Sequence, residues 1–162
     1  MNDHPQAEAM QVLTFDLQDE TFALEAELVR EVLDVASETS VPGAAPFVNA
    51  VINFRGRVIP LVDLRLAFGM DRKDVTIDSR IVVIEHDLGG DPTLIGLRAD
   101  KVHEVTILAR ADMEETPRVG LRWRADFIRC LARRGGDVVV IPDLEQIFTT
   151  RGGATGAVVH LS

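Results

Sequence analysis

Short runs of alternating hydrophobic and polar residues cover most of the chain. In the first clear run, Leu13, Phe15 and Leu17 fall on one side of an extended chain, and Thr14 and Asp16 fall on the other. A period of two with one polar side predicts a half-buried β-strand. Similar runs separated by turn residues predict further strands at 21–24, 32–35, 51–54, 57–62, 80–85, 93–97, 102–108, 127–132 and 137–141.

Glycines and capping residues mark the breaks between these strands. Arg55-Gly56 separates two runs, and because Gly56 can adopt a positive φ, the pair predicts a tight hairpin. Asp63 is suited to cap a short helix that Gly69 would end. Asp143, with Gln146 three residues later, suggests a capping box at a second helix. A further short helical stretch is expected near residues 26–30.

The chain also contains an internal echo. Residues 29–32 (Val-Arg-Glu-Val) are followed in the second half by 102–105 (Val-His-Glu-Val). Residues 58–64 (Val-Ile-Pro-Leu-Val-Asp-Leu) are echoed in the same order by 138–144 (Val-Val-Val-Ile-Pro-Asp-Leu). We therefore expect one domain over residues 11–149, built from two related β units at about 11–79 and 80–149. Tails would lie at 1–10 and 150–162.

Composition narrows the class of partner. The chain has 162 residues, 46% of them hydrophobic, which is enough for one globular unit with its own core. Its net charge of −9 argues against nucleic acid, because phosphate binding depends on clustered Lys and Arg. Residues 1–40 are strongly acidic, whereas 110–134 are rich in arginine. This asymmetry is either an ordinary solvated surface or a pair of complementary faces that steer protein partners.

The sequence predicts a soluble cytoplasmic protein. Its first residues lack the basic start and apolar run of a signal peptide. The longest uncharged run, 39–54, contains two prolines and is shorter than the roughly 20 apolar residues of a spanning helix. Cys130 has no second cysteine to pair with, which fits a reducing compartment.

No set of residues forms a recognisable catalytic, cofactor or metal motif. The four histidines have no metal-binding spacing, and the glycine-rich stretch 152–156 lacks the Lys-Ser or Lys-Thr of a phosphate loop. The echoed Asp63 and Asp143 are the one pair that could share a proton, as in an aspartic protease. Each stands where a helix cap is needed, so capping is the preferred interpretation and no enzymatic activity is expected.

A resemblance to a known family adds to this interpretation. Residues 50–68 read Ala-Val-Ile-Asn-Phe-Arg-Gly-Arg-Val-Ile-Pro-Leu-Val-Asp-Leu-Arg-Leu-Ala-Phe. This stretch strongly resembles the signature of the CheW family of chemotaxis coupling proteins, and the likeness extends over roughly 11–149. Ala50 replaces a glycine and Phe54 a leucine of the family pattern. Residues 127–130 (Phe-Ile-Arg-Cys) end in cysteine where the family has glycine.

The resemblance implies an all-β fold with short helices, in which two pseudo-symmetric five-stranded SH3-like barrels exchange strands. It implies a non-catalytic adaptor that links the cytoplasmic tips of methyl-accepting chemotaxis receptors to the regulatory domain of the CheA histidine kinase. The protein would then be recruited to membrane receptor arrays without inserting into the bilayer. The partner-binding residues expected from the family positions and the exposed hairpin are Glu31, Arg55, Gly56 and Arg57. Apolar residues around Val102, Val105 and Val138 are candidates for the kinase face.

Three alternatives remain open at this stage. The chain could serve a chemosensory system that controls pilus motility or development. It could be a hydrolase if Asp63 and Asp143 face one cleft. A small nucleic-acid-binding barrel is also conceivable. The acidic net charge speaks against it, as does the presence of one tryptophan, Trp123, and no tyrosine for stacking on bases.

Overall fold

Twelve β-strands form most of the structure, a computed structural model that describes residues 9–35, 38–40, 46–48, 50–71, 74–115 and 125–150. The first half contributes β1 (Ala9–Leu17), β2 (Glu20–Glu25), β3 (Val29–Asp34), β4 (Thr39–Ser40), β5 (Ala50–Phe54) and β6 (Arg57–Val62). The second half contributes β7 (Arg80–Leu88), β8 (Asp91–Ala99), β9 (Lys101–Ala109), β10 (Met113–Glu114), β11 (Ile128–Arg134) and β12 (Asp137–Pro142). The runs of alternating residues therefore predicted ten of these twelve strands, with shifts of a few residues at their ends; the two-residue strands β4 and β10 were not predicted.

Helices are short and lie between strands. One α-helix spans Leu64–Ala67 and the other spans residues 144–150. Single 3₁₀ turns occur at Ala26–Leu28, Pro46–Val48, Arg110–Asp112 and Ala125–Phe127. Asp63 caps the first helix by accepting the backbone N–H of Arg65, and Asp143 caps the second by accepting that of Gln146. The predicted caps are thus confirmed, and the Asp residues have this structural role.

The strands form two six-stranded sheets that exchange strands between the two halves of the chain. One sheet has the order β10-β11-β12-β2-β1-β9, and the other has the order β3-β7-β8-β6-β5-β4. Each sheet therefore combines two strands of one half with four of the other. The strands of each half follow the same plan, since β12 pairs in parallel with β2 just as β6 pairs in parallel with β8.

Both sheets curl into barrels. In the sheet that contains β5 and β6, here called the first barrel, β7 and β8 lie between β3 and β6, yet a side chain of the turn between β5 and β6 donates hydrogen bonds to β3. In the sheet that contains β1 and β2, here called the second barrel, a side chain at the end of β11 likewise donates a hydrogen bond to β9. Such contacts are possible only if the sheets bend round. The all-β, two-barrel prediction is confirmed; each barrel has five longer strands plus the two-residue β4 or β10.

Three hydrophobic clusters fill the molecule. The largest, here called the central core, takes residues from both sheets and lies between the barrels. The ring centroid of Phe22, on β2, lies 5.1 Å from that of Phe68, and the ring centroid of Phe68 lies 6.4 Å from that of Phe127. A smaller cluster fills each barrel interior. Because strands next to the central core bury both faces, the two barrels pack as one unit.

Candidate functional site

The turn between β5 and β6 has an unusual backbone. It consists of Arg55 and Gly56, whose φ angles are 53° and 82°. Two central residues with positive φ form the type I′ turn that two-residue hairpins prefer. The side-chain oxygen of Asn53 accepts the N–H of Gly56 at 3.0 Å. Glycine takes this conformation readily, whereas an L-residue such as Arg55 pays about 1–2 kcal/mol for it.

The side chain of Arg55 reaches from this turn to strand β3. Its Nη2 lies 2.6 Å from Oε1 of Glu31, and its Nε lies 3.2 Å from the same oxygen. The guanidinium also lies 5.3 Å from the centroid of the Phe54 ring. The side chain of Arg55 is nevertheless 73% exposed, and that of Glu31 is 36% exposed. The pair is therefore a surface contact that leaves most of the guanidinium accessible.

Exposed residues continue on either side of this pair. Arg57 begins β6 and is exposed, and Val58 after it is 50% exposed. Val32 follows Glu31 on β3 and is 39% exposed. The structure thus brings together Glu31, Arg55, Gly56 and Arg57 at one end of the first barrel. We call these four residues the turn site.

The second barrel carries a counterpart of this contact. Arg134, at the end of β11, donates from Nη2 to Glu104 at 2.9 Å and to Thr106 at 3.1 Å. The turn that follows is Gly135-Gly136, with φ angles of 60° and 88°. Glu104 occupies the position in the second repeat that Glu31 occupies in the first. The arginine that pairs with Glu104 lies at the end of strand β11, whereas the arginine that pairs with Glu31 lies in the turn between β5 and β6. The echo of Glu31 by Glu104 was the available signal for this pair, which the sequence reasoning missed.

Val102 and Val105 lie in different environments, although both were expected on one face. Val102 is partly buried and packs against the central core. Val105 is 54% exposed, and Ile107 on the same side of β9 is 65% exposed. Val138, after the turn on β12, is 43% exposed. The exposed apolar residues of the second barrel therefore include Val105, Ile107 and Val138, whereas Val102 packs toward the central core.

Part of the acidic start of the chain is paired with arginines within the molecule. Four of its carboxylates contact arginines from later strands and turns: Glu25 with Arg129, Glu31 with Arg55, Asp34 with Arg80, and Glu38 with Arg98. The arginine-rich region likewise pairs Arg133 with Glu114 and Arg134 with Glu104. The charge asymmetry of the sequence thus contributes to contacts between strands within the fold.

One ion-pair group is buried. Arg65 donates from Nε and Nη2 to the two oxygens of Asp63, at 2.8 and 2.9 Å, and from Nη1 to Asp100 at 3.1 Å. Its side chain is 6% exposed. Burial lowers the pKa of this guanidinium, but the hydrogen bond and charge of Asp63, with the charge of Asp100, outweigh it and raise the pKa. Asp100 also accepts the backbone N–H of Gln18, which ties this group to the other sheet.

Cys130 on β11 is partly buried beside the interior of the second barrel. Burial raises the pKa of its thiol, although the charges of Arg129 and Arg110 act in the opposite direction. A thiol that resists ionisation is a weak nucleophile, so these surroundings indicate that Cys130 serves as a small packing residue.

Within the described part of the chain, no helix has the length and apolar character needed to cross a membrane.

Comparison with known proteins gives a consistent result. The family model described as the CheW-like domain matches residues 11–152. The chemotaxis protein CheW of Treponema pallidum is 23% identical over 150 residues, which cover 89% of this chain and 85% of that protein. Protein PilI of Pseudomonas aeruginosa is 36% identical over a shorter stretch of 58 residues, covering 36% of this chain and 33% of PilI.

A solved structure shares the fold. The crystal structure of the scaffolding protein TtCheW from Thermoanaerobacter tengcongensis superposes with a TM-score of 0.78 at 30% sequence identity. The match covers 90% of this chain and 96% of that one. The two-barrel arrangement with exchanged strands is therefore common to both proteins.

Proposed function

The chain belongs to the CheW-like family of chemotaxis scaffold proteins, and on this basis we propose that it couples methyl-accepting receptors to a CheA-type histidine kinase without catalysing a reaction. The observation that carries the proposal is the turn site. A guanidinium that is largely accessible, held by one carboxylate on a rigid hairpin, can contact a partner without any rearrangement of the fold.

The backbone of Arg55 supports a role beyond folding. A type I′ turn is most stable with Asn or Gly at its first position, and the equivalent turn of the second barrel has Gly135 there. Arginine at φ 53° is a local conflict between sequence and conformation. Conflicts of this kind cluster at functional sites, because the side chain is needed at that place.

Non-catalytic function is supported by the contacts of the two echoed aspartates. Both carboxylate oxygens of Asp63 accept hydrogen bonds from Arg65, and Asp143 accepts the N–H of Gln146 as a helix cap. Neither arrangement provides a pair of carboxyls that share a proton, so the hydrolase alternative loses its physical basis.

We assign the kinase contact to the apolar surface of the second barrel. Val105, Ile107 and Val138 expose branched side chains on a rigid sheet, which suits docking against another β domain. The turn site would then contact the receptor tip, and one adaptor could hold both partners. The protein would work in the cytoplasm at receptor arrays.

The decisive experiment compares two charge reversals. Arg55→Glu places a second carboxylate beside Glu31, whereas Arg133→Glu makes the equivalent change at an exposed pair on β11, away from the turn site. Each variant is tested by co-sedimentation with receptor-containing membranes without kinase, because Arg133 lies opposite Val138 of the assigned kinase face, and by circular dichroism. We expect Arg55→Glu to weaken assembly while both variants stay folded. Equal recovery of a folded Arg55→Glu variant and the wild type would defeat the proposal.

The similarity to PilI favours a second candidate within the same class. The chain could serve a chemosensory system that controls pilus motility. Deletion of the gene in its own organism, followed by separate assays of swimming and of pilus-dependent movement, distinguishes a swimming pathway from a pilus pathway. Loss of pilus movement alone would assign the chain to the pilus system.

A further inference from the structure

Each barrel contains a parallel strand pair in which one strand ends at an aspartate that caps a short helix. In the first barrel, β6 and β8 run in parallel; Asp63 follows β6 and Asp100 follows β8. The guanidinium of Arg65 lies between these two carboxylates, with contacts of 2.8–3.1 Å. In this frame, two acids at adjacent strand ends hold one buried arginine.

The second barrel keeps the first of these acids and lacks the arginine. Here β12 and β2 run in parallel and Asp143 follows β12, whereas Glu27, which stands after β2 where Asp100 stands after β8, is exposed. The position that corresponds to Arg65 is Glu145, because Asp63-Leu64-Arg65 aligns with Asp143-Leu144-Glu145. The side chain of Glu145 is 68% exposed. The helix that begins after Asp143 therefore brings no guanidinium to the space beside that carboxylate.

An open cleft occupies that space. It has a volume of about 380 Å³. Its charged lining consists of three carboxylates, Glu25, Asp143 and Glu145, and one guanidinium, Arg129, so it carries a net charge of −2 if His86 is neutral. Its apolar lining comes from Ala23, Leu24, Leu28, Ile141, Pro142 and Leu144. The cleft thus combines a negative end with apolar walls.

His86 adds a buried ring nitrogen without a partner. Its side chain is 15% exposed, its Nε2 is buried, and within the described part of the chain that atom has no hydrogen-bond partner. Oε1 of Glu145 lies 3.6 Å from it, beyond hydrogen-bond distance. A buried polar atom without a partner costs free energy, and an incoming group that hydrogen-bonds to Nε2 would remove that cost.

We propose that this cleft binds the arginine side chain of a protein partner, with an apolar residue next to the arginine packing on Leu28 and Ile141. Arg65 shows within the same fold that Asp63, the counterpart of Asp143, binds a guanidinium. A planar guanidinium can donate to Asp143, and also to Nε2 of His86 when the ring carries its proton on Nδ1, and its methylene stem suits apolar walls. Lysine fits less well because its ammonium is more strongly hydrated and cannot make the forked contact. The inference rests on the proposed adaptor function, which supplies the partner.

The first test uses a small probe on the full chain. N-acetyl-arginine methylamide is titrated into isotope-labelled protein, and N-acetyl-lysine methylamide serves as the control. Binding in the cleft predicts saturable NMR shifts at Leu28, Ile141 and the His86 ring with the arginine compound, and an affinity several-fold weaker with the lysine compound. No saturable shifts at these residues, or equal shifts with both compounds, would overturn the proposal.

Two variants connect the cleft to partner binding. Asp143→Asn keeps a helix cap, since Asn caps as well as Asp, and removes the charge; Asp137→Asn is the matched control at the exposed start of β12. Glu145→Arg restores the arginine of the first half, which would fill the cleft from inside. We expect Asp143→Asn to weaken probe binding by about tenfold, the worth of one charge-assisted hydrogen bond. Glu145→Arg should abolish it.

Pull-downs with a receptor signalling tip and with a kinase regulatory domain, tested separately, complete the design. If one complex is lost with folded Glu145→Arg and kept with Asp137→Asn, the cleft holds an arginine of that partner. If Glu145→Arg binds both partners as the wild type does, the inference is wrong and the adaptor function stands. If the wild type binds neither partner, the adaptor function fails, whatever the probe shows.

Discussion

The guanidinium of Arg55 lies 2.6 Å from the carboxylate of Glu31, at the point where the turn between β5 and β6 meets strand β3. These residues are far apart in sequence and are not neighbours in the sheet order. Their contact depends on the curl of the barrel. An exposed pair of this kind contributes about 0–1 kcal/mol to stability, and under the proposed adaptor function it would mainly hold the arginine in position for a partner.

Replacement of Arg55 by asparagine separates folding from binding. Asparagine tolerates the positive φ at this position better than arginine, and this gain offsets the lost surface pair. We expect the free energy of unfolding to stay within about 1 kcal/mol of wild type. Receptor binding should fall clearly. Urea unfolding and co-sedimentation measure the two effects.

Gly56→Ala is the matched control for this prediction. It strains the same turn, whose φ at Gly56 is 82°, and so should cost about 1 kcal/mol of stability while keeping the guanidinium. Binding of the folded variant should persist. If Arg55→Asn binds as tightly as wild type, the turn site has only a structural role.

Arg65 should be essential for stability. Arg65→Met leaves the carboxylates of Asp63 and Asp100 in place without their cation, and breaking a buried pair in this way costs about 3–5 kcal/mol. Arg129→Met removes the exposed partner of Glu25 and should cost less than about 1 kcal/mol. Urea unfolding of both variants gives the comparison. Similar losses for the two would mean that Arg65 does not hold the barrels together electrostatically.

Two valines of β9 should respond differently to a charge. Val105→Lys places the ammonium in solvent, because Val105 is 54% exposed, and should leave the melting temperature nearly unchanged. Val102→Lys forces a charge toward the central core and should destabilise the fold by about 1–3 kcal/mol.

The Val105→Lys variant also tests the assigned kinase face. Val105→Lys should weaken binding of the kinase regulatory domain by tenfold or more, about 1.4 kcal/mol, as measured by titration calorimetry. Unchanged affinity of the folded Val105→Lys variant would move the kinase contact to another surface.

Cys130 should make stability depend on pH in the alkaline range. Its folded pKa is raised, so the folded state keeps its proton where the unfolded thiol, with a pKa of about 8.5, loses it. Its contribution is therefore complete below the unfolded pKa and is lost as the pH rises toward the folded pKa. Urea unfolding at pH 7 and pH 9.5 should show a larger decrease for wild type than for Cys130→Ala. Equal decreases would contradict this.

Local sequence determined the strands, turns and caps of this protein. Alternation around Phe15, the pair Arg55-Gly56 and the caps Asp63 and Asp143 act over a few residues, and such interactions can be read from neighbouring positions. The two-barrel arrangement did not follow from alternation. It came from the resemblance of residues 50–68 to a known family, because many strand pairings satisfy the same alternating pattern.

Only the tertiary structure decided which distant groups meet. The contact of Arg65 with Asp100 arises because parallel β6 and β8 end at one edge, and the burial of Val102 but not Val105 arises from the packing of β9 on the central core. The cleft beside Asp143 and His86 is likewise formed by four separate strands and a helix. Contacts between residues far apart in sequence depend on the closed three-dimensional arrangement, so no local pattern records them.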